Sequence, residues 1–427
     1  MNGVQAQIVR QILDSVPDTE YEFNKYIRPK FAKAAELNYN TFAYIIPWRG
    51  FEAKENIYNF DLIRMLYACA DEYDLTIQLI WGGSDVCSFS TWLPDYIKNN
   101  TVDYPKFKDT KAIDYSNKNL IYREKKAFSM LLEALYKYDV NRRTVCIQVE
   151  NEPNTGIDGT PNHNSLEDVA AKTWVGQEAA VKGIINELAI LAHTGPYRVL
   201  TRVNYVAYTC YFNGVYDNDP KELLEKTAVD MVGFSLYSTI NTDIKVLTAG
   251  RTDNNIPHIA ESSGGIYSAP AKMIYAATDA CGVLQYELFY TNGYSTETSC
   301  VLNRDGSYRD GSEGGNVTTE LIGINRMFAS IGEIMAVSAY ENMTSFNLNQ
   351  EKEIQQSANL GGCEIGFTVN DSGPYGGVGL AVYDENEHIY LYSSKAASFT
   401  VANAASAGVG YYSDDGWVEV RSANGTL

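Results

Sequence analysis

The chain has 427 residues, 45% of them apolar and 20% charged, which is globular composition and too long for one small core. A net charge of −19 argues against nucleic acid and against anionic membrane surfaces as partners. Seven cysteines without CxxC spacing read as mostly reduced, buried thiols, and four histidines (His163, His193, His258, His388) share no ligand spacing, so no zinc site is expected. No run approaches the roughly 18 apolar residues of a membrane span. The N-terminus "MNGVQAQIVR" has no signal-peptide apolar region. Because the chain can equally be one trimmed from a secreted protein, no compartment is assigned.

Short β-rich runs alternate with helical patterns over the first 340 or so residues. "VQAQIV" (Val4 to Val9) reads as a first strand, and Pro29 opens a helix pattern over Lys30 to Leu37. "TFAYIIPW" (Thr41 to Trp48) and "LTIQLIW" (Leu75 to Trp81) are strand-like, with a helical pattern over Phe60 to Tyr73 between them. From Leu120 to Tyr138 the apolar residues Phe128, Leu131, Leu132 and Leu135 keep i, i+3, i+4, i+7 spacing. "VCIQV" (Val145 to Val149) precedes a long helix pattern ending near Ala192. Strand patterns follow at Tyr197 to Asn204, Asp230 to Tyr237, Pro257 to Glu261 and Val283 to Tyr290, and a last helix pattern covers Thr319 to Val337. Eight strand candidates, most followed by a helix, predict an α/β fold, a (β/α)₈ TIM barrel over residues 1–342. The rival doubly wound sheet lacks a GxGxxG turn after its first strand. From residue 343 to 427, short alternating runs joined by Gly, Asn and Asp turns predict a small all-β, β-sandwich-like C-terminal domain.

In a barrel, chemistry sits at the C-terminal ends of the strands. The fourth strand runs into "QVENEP", with Glu150 and Glu152 flanking Asn151. Side chains alternate along a strand, so the two glutamates are expected on one face, Glu152 at the rim and Glu150 beneath it as a support. A second rim carboxylate, Glu261, ends the seventh strand in "NIPHIAESSGG". Paired carboxylates about 5–5.5 Å apart suit retaining glycoside hydrolysis. Trp48 and Trp81 end the second and third strands, and Trp92 and Trp174 fall in loops on the same side. Such rings stack on the apolar faces of sugars.

"QVENEP" together with "AESSGG" resembles the retaining glycosidases of clan A. Within that clan, "PWRGFEAKENIYNFD" (Pro47 to Asp61) and "VDMVGFSLY" resemble the family 35 and family 42 β-galactosidases. The resemblance implies Glu152 as acid/base, Glu261 as nucleophile, Asn151 as donor to the sugar 2-hydroxyl and Tyr237 as donor to the nucleophile. Trp48, Trp81 and Trp174, by their positions, and Glu52 of the Pro-Trp block complete the expected substrate-binding set. The loop after the third strand, "IWGGSDVCSFSTWLP", departs from the family's Arg-x-Gly-Pro-Tyr, so the chain resembles a divergent branch. The expected activity is exo cleavage of a terminal β-linked sugar, galactose first, on an oligosaccharide or polysaccharide, with no metal and no cofactor needed. The alternatives are an endo-acting β-glycanase, another exo-β-glycosidase, or a non-catalytic carbohydrate-binding barrel. Oligomeric state is not readable.

Overall fold

A computed structural model describes residues 2–5, 19–84, 92–107, 113–153, 177–206, 220–236, 247, 251, 255, 257–262, 269–279, 282–286, 302–303, 307–308, 317–348, 355–369, 377–384, 386–404, 406–413 and 416–423. Ten α-helices are described: α1 (Glu20–Tyr26), α2 (Arg28–Glu36), α3 (Trp48–Phe51), α4 (Phe60–Glu72), α5 (Asp95–Lys98), α6 (Lys118–Tyr138), α7 (Glu178–Thr194), α8 (Pro220–Lys226), α9 (Ala269–Asp279) and α10 (Val317–Val337). The strands of the first part are β1 (Asn2–Gln5), β2 (Thr41–Pro47), β3 (Thr76–Gly82), β4 (Thr144–Val149), β5 (Leu200–Val206), β6 (Met231–Leu236), β7 (Ile259–Ser262) and β8 (Val283–Tyr286).

These eight strands stand in chain order as a closed barrel. The described pairings are all parallel and run without a break from β1 to β7. β2 and β3 are buried along almost their whole length, which is why they read as continuous apolar runs rather than as alternating ones. The helices between them are started by side-chain caps. Asn59 Oδ1 accepts from Leu62 N (3.0 Å) at α4, and Asn117 Oδ1 accepts from Leu120 N (2.9 Å) at α6. The start of β4 is pinned by Asp139, whose carboxylate accepts from Arg143 N at 2.7 Å and Thr144 N at 2.9 Å. The first strand is Asn2–Gln5, offset from the Val4 to Val9 expectation; Gly3, Val4 and Gln5 pair with Thr41, Phe42 and Ala43.

The C-terminal strands are β9 (Met343–Asn347), β10 (Gln355–Leu360), β11 (Cys363–Val369), β12 (Val378–Tyr383), β13 (Ile389–Ser393), β14 (Ala397–Val401), β15 (Ala407–Ser413) and β16 (Gly416–Ala423). They form sheets β10-β11-β14, β13-β12-β9 and β15-β16, antiparallel throughout. The first two share one core. Phe346 from one sheet stacks on Phe367 from the other at 5.2 Å, with Phe399, Ile365 and Ala381 around them. Burial alternates along β11, the period-2 pattern of a half-covered strand.

The chain divides into two compact units. One comprises Gly3–Ser262 and Leu284–Leu288; the other comprises Met1–Asn2, Ser263–Val283 and Phe289–Leu427. The second unit therefore takes in α9 and α10 as well as the all-β segment. Within it, Glu320 of α10 accepts from Ser394 Oγ at 3.0 Å.

Candidate active site

β4 ends at Val149, one residue before the first glutamate. Glu150 (φ 67°) and Glu152 (φ 45°) both lie in the left-handed region, which side-chain-bearing residues adopt only at a cost of roughly 1–3 kcal/mol each. The expected strand alternation therefore does not apply to them: the chain has already left the sheet. The turn sets them apart in another way, with Glu150 only 1% exposed and Glu152 half-buried.

Neighbouring strands hold this turn. Glu152 N donates to Asn204 Oδ1 on β5 at 2.9 Å. Asn204 Nδ2 in turn donates to Ser235 Oγ on β6 at 3.0 Å. Ser235 is in register with Glu261 on β7. Two buried side chains thus link the end of β4 to the strand that carries Glu261. Asn151 is half-buried, and its Oδ1 accepts from Gln148 Nε2 at 2.9 Å.

Beneath the turn, Glu150 meets Glu124 of α6, a residue outside the expected site. Ser84 N donates to Oε1 of both Glu150 (3.0 Å) and Glu124 (3.1 Å), and Ser84 Oγ donates to Glu124 Oε2. Trp81 Nε1 adds a third donor to Glu124 at 3.1 Å. The two carboxyl groups converge on the one backbone N–H of Ser84. Burial pushes Glu124 above the ordinary carboxyl range, although the bonds from Ser84, Glu150 and Trp81 pull the other way. Two carboxyls in one buried contact cannot both ionise cheaply, which favours the protonated form of Glu124. Gly83 makes room for this cluster: a Cβ there would stand 1.8 Å from Glu124 Oε1 and 2.8 Å from Glu150 Oε1. The sequence did carry a sign of Glu124. It sits in the buried stripe of α6, four residues after Leu120 and four before Phe128.

Three expected substrate contacts are corrected. Trp48, Glu52 and Trp81 are fully buried. Trp48 Nε1 donates to Glu52 Oε2 at 2.8 Å, and the two tryptophan rings lie 6.3 Å apart. Glu52 also accepts from Asn56 N at 2.7 Å and from Arg123 NH2. Their polar atoms are taken up by one another, by Arg123 and by Glu124, so they form the wall of the site rather than its sugar-facing surface. Trp92 is likewise buried, 7% exposed. Tyr237 and Trp174 lie outside the described residues, as does the side chain of Glu261.

Deeper in the barrel, His258 is fully buried between Gln78 and Arg202. Its Nδ1 accepts from Arg202 NH1 at 3.0 Å, and its Nε2 faces Gln78 Nε2 at 3.2 Å. Burial, and then the Arg202 charge, hold this imidazole well below its ordinary pKa, so it is neutral. With Nδ1 accepting, the ring proton is on Nε2, which places the amide oxygen of Gln78, rather than its NH₂, as the group that accepts from it.

No protein-family model matches the sequence, and no curated protein is similar to it. Solved structures are similar in fold. A β-galactosidase from the psychrophilic Marinomonas ef1 superposes with a TM-score of 0.55 at 9% identity, over 79% of this chain and 62% of that one. A GH5_18 protein from Bifidobacterium longum subsp. longum, in complex with Manb1-4GlcNAc, gives 0.53 at 13% identity, over 79% of this chain and 78% of that one. A GH5_18 protein from Streptomyces cattleya with the same ligand gives 0.51 at 12% identity, over 75% and 79%. The fold is one found in glycoside hydrolases. What these structures share with the chain is the frame, and the frame puts strand ends and the loops after them where chemistry is done.

Proposed function

We propose that the chain is a retaining glycoside hydrolase acting on a terminal β-linked neutral hexose, with Glu152 as acid/base and Glu261 as nucleophile. The observation that carries this reading is the side-chain link from Glu152 N through Asn204 to Ser235, the register partner of Glu261. It ties together the two strands on which a double displacement needs its carboxylates. In the first step Glu152 gives its proton to the glycosidic oxygen while the Glu261 carboxylate attacks the anomeric carbon. The C–O bond to the leaving group breaks and a glycosyl ester forms. In the second step Glu152, now ionised, takes a proton from water as that water attacks the anomeric carbon and frees Glu261.

The remaining roles follow from the surroundings. Asn151 already has its amide oxygen engaged by Gln148, so it meets a ligand with its NH₂ group, as a donor to the 2-hydroxyl should. Tyr237, directly after the last residue of β6, is assigned as donor to the nucleophile, and Trp174 as a sugar platform. Residues 1–342 act as the catalytic (β/α)₈ barrel and 343–427 as an appended β-sandwich.

Galactose is the first candidate sugar, from the Pro-Trp block. Mannose is the second, because two structures of similar fold hold Manb1-4GlcNAc. The test is a panel of nitrophenyl β-galactoside, β-mannoside, β-glucoside and β-xyloside with the wild type and Glu261→Gln. Hydrolysis by the wild type alone, releasing the β-anomer first in proton NMR, supports the reading. A panel on which the two proteins are indistinguishable overturns it. Turnover of the mannoside but not the galactoside changes the sugar and leaves the mechanism standing.

A further inference from the structure

Outside the site just described, a cavity of about 440 Å³ opens over the loops that follow β2 and β3 and the first turns of α6. Its size falls within the roughly 300–1,000 Å³ of small-ligand sites. Its lining is unusual in kind. Three tyrosines, Tyr96, Tyr104 and Tyr122, share it with Asn100 and Asn119, with Asp103 and Glu55, and with one face of Arg123. Aromatic faces beside planar amide and carboxylate groups are what a saccharide uses: ring C–H faces stack and hydroxyls pair with fixed donors and acceptors.

The polar groups are already braced. Asn100 Nδ2 donates to Asp103 Oδ2 at 2.7 Å, Asp103 N donates to Asn100 Oδ1 at 3.2 Å, and Asn119 Nδ2 donates to Asp103 O at 3.3 Å. Arg123 donates to Tyr96 Oη at 3.1 Å and to Asn56 Oδ1 at 3.1 Å, and it is paired with the fully buried Glu52. Tyr104 is 8% exposed, a wall fixed by packing, whereas Tyr122 is 64% exposed and holds its ring to solvent on a helix that does not need it for its core. Binding here therefore orders few side chains, which keeps its entropic cost low.

Charge decides between neutral and acidic sugars. Arg123 is shared between Glu52 and Glu55, the latter at 3.6 Å, so with Asp103 the carboxylates outnumber it and the cavity is negative, in a chain of net charge −19. A uronate or sulfated sugar would be repelled. We propose that this cavity is a second saccharide-binding site, taking a neutral hexose unit of an oligosaccharide, with Tyr122 as its stacking platform. It is distinct from the Glu124–Glu150 cluster: Arg123 lines it, whereas Glu124 is engaged by Ser84 and Trp81. The proposal rests on the glycosidase reading only for the choice of a saccharide as ligand.

The experiment is calorimetric titration of the full chain, in a Glu261→Gln background that prevents turnover, with mannohexaose, galactohexaose and, as the acidic control, hexagalacturonate. A neutral hexasaccharide is expected to bind at two sites. Tyr122→Ala in the same background should abolish one of them or weaken it by about tenfold, the scale of one stacked ring. Asn119→Ala, which removes a polar contact without touching the platform, should weaken the same site. In the catalytically intact protein, Tyr122→Ala should leave kcat/KM on a nitrophenyl glycoside unchanged. An isotherm that Tyr122→Ala and Asn119→Ala both leave unaltered overturns the proposal, and so does binding of hexagalacturonate alone. If the wild type hydrolyses nothing but Tyr122-dependent binding persists, the proposed activity fails and the second site stands. If hydrolysis is found and Tyr122 is irrelevant to binding, the reverse holds.

Discussion

Replacing Glu124 by Gln removes one of two carboxyls that share a buried contact, and its effect on stability should depend on pH with a definite sign. Burial raises Glu124 above the 4.5 of a free glutamate in the folded protein. A raised carboxyl pKa means that the stability linked to this group is fully present below 4.5. It is then lost as pH rises through the folded pKa, because the unfolded chain releases the proton first. Over that window the wild type should lose about 1.4 kcal/mol per pH unit through this pair. Glu124→Gln has no proton to lose. Its amide oxygen can still accept from Ser84 N and Trp81 Nε1, while its NH₂ turns to Ser84 Oγ, a hydroxyl able to accept. At pH 4.5 the variant should therefore be slightly the weaker, by about 1 kcal/mol for a neutral replacement of well-placed hydrogen bonds. As pH rises above 4.5 it should gain on the wild type until the folded-state carboxyl has also ionised. Every other carboxylate titrates in both proteins, so the difference in melting temperature, followed by scanning calorimetry from pH 4.5 to 8, isolates the pair. A gap that stays constant across this range would refute the raised pKa of Glu124. So would a variant that grows relatively weaker as pH rises.

Four further outcomes are expected. Glu152→Ala should lose about 10²–10⁴-fold on substrates with poor leaving groups while sparing glycosylation by activated aryl glycosides, with azide restoring its slow second step; Glu261→Ala should lose both steps, and Glu150→Gln should show neither pattern, so azide rescue of a Glu150 variant would reverse the assignment. Asn204→Ala releases the backbone N–H of Glu152 and should lower kcat by about tenfold on poor leaving groups with KM nearly unchanged; an effect confined to melting temperature would reduce Asn204 to a structural role. His258→Gln should flatten the acid limb of stability: its folded pKa is depressed, so the wild type is fully stabilised above about 6.5 and loses up to about 1.4 kcal/mol per unit on acidification, and equal slopes for the two proteins would contradict a buried neutral imidazole. Gly83→Ala puts a methyl group 2.4 Å from Trp81 Nε1 and closer still to Glu124, and should cost about 1–3 kcal/mol or more in denaturant midpoint measurements, with wild-type stability as the result that would count against the cluster's geometry.

The parallel strands were legible because burial on both faces leaves an unbroken apolar run. β2, β3 and β4 fall within a residue of the expected ranges. Legibility failed where the left-handed backbone falls on side-chain-bearing residues rather than on a glycine. Nothing in "QVENEP" marks Glu150 and Glu152 as left-handed, since the reason lies elsewhere: Ser84 and Asn204 supply the hydrogen bonds that make the turn tolerable. The tryptophans failed for a related reason. A Trp at a strand end is equally a sugar platform and a wall, and the choice depends on who takes its N–H. For Trp48 that partner is Glu52, itself consumed by Arg123 across 71 residues of chain; for Trp81 it is Glu124 across 43. Yet Arg123 and Glu124 did leave a trace. Adjacent opposite charges stand inside the buried stripe of α6, where Leu120, Ala127, Phe128 and Leu131 are otherwise apolar. A charged residue in such a stripe must have a buried partner, because leaving it alone there costs more than the helix gains by packing. Two consecutive ones must find partners in two directions, since successive helical positions point about 100° apart. Read that way, the helix itself predicts a buried polar partner in each of two directions, and those are Glu52 for Arg123, beside the tyrosine-lined cavity, and Ser84 with Trp81 for Glu124, beside Glu150 and the proposed acid/base.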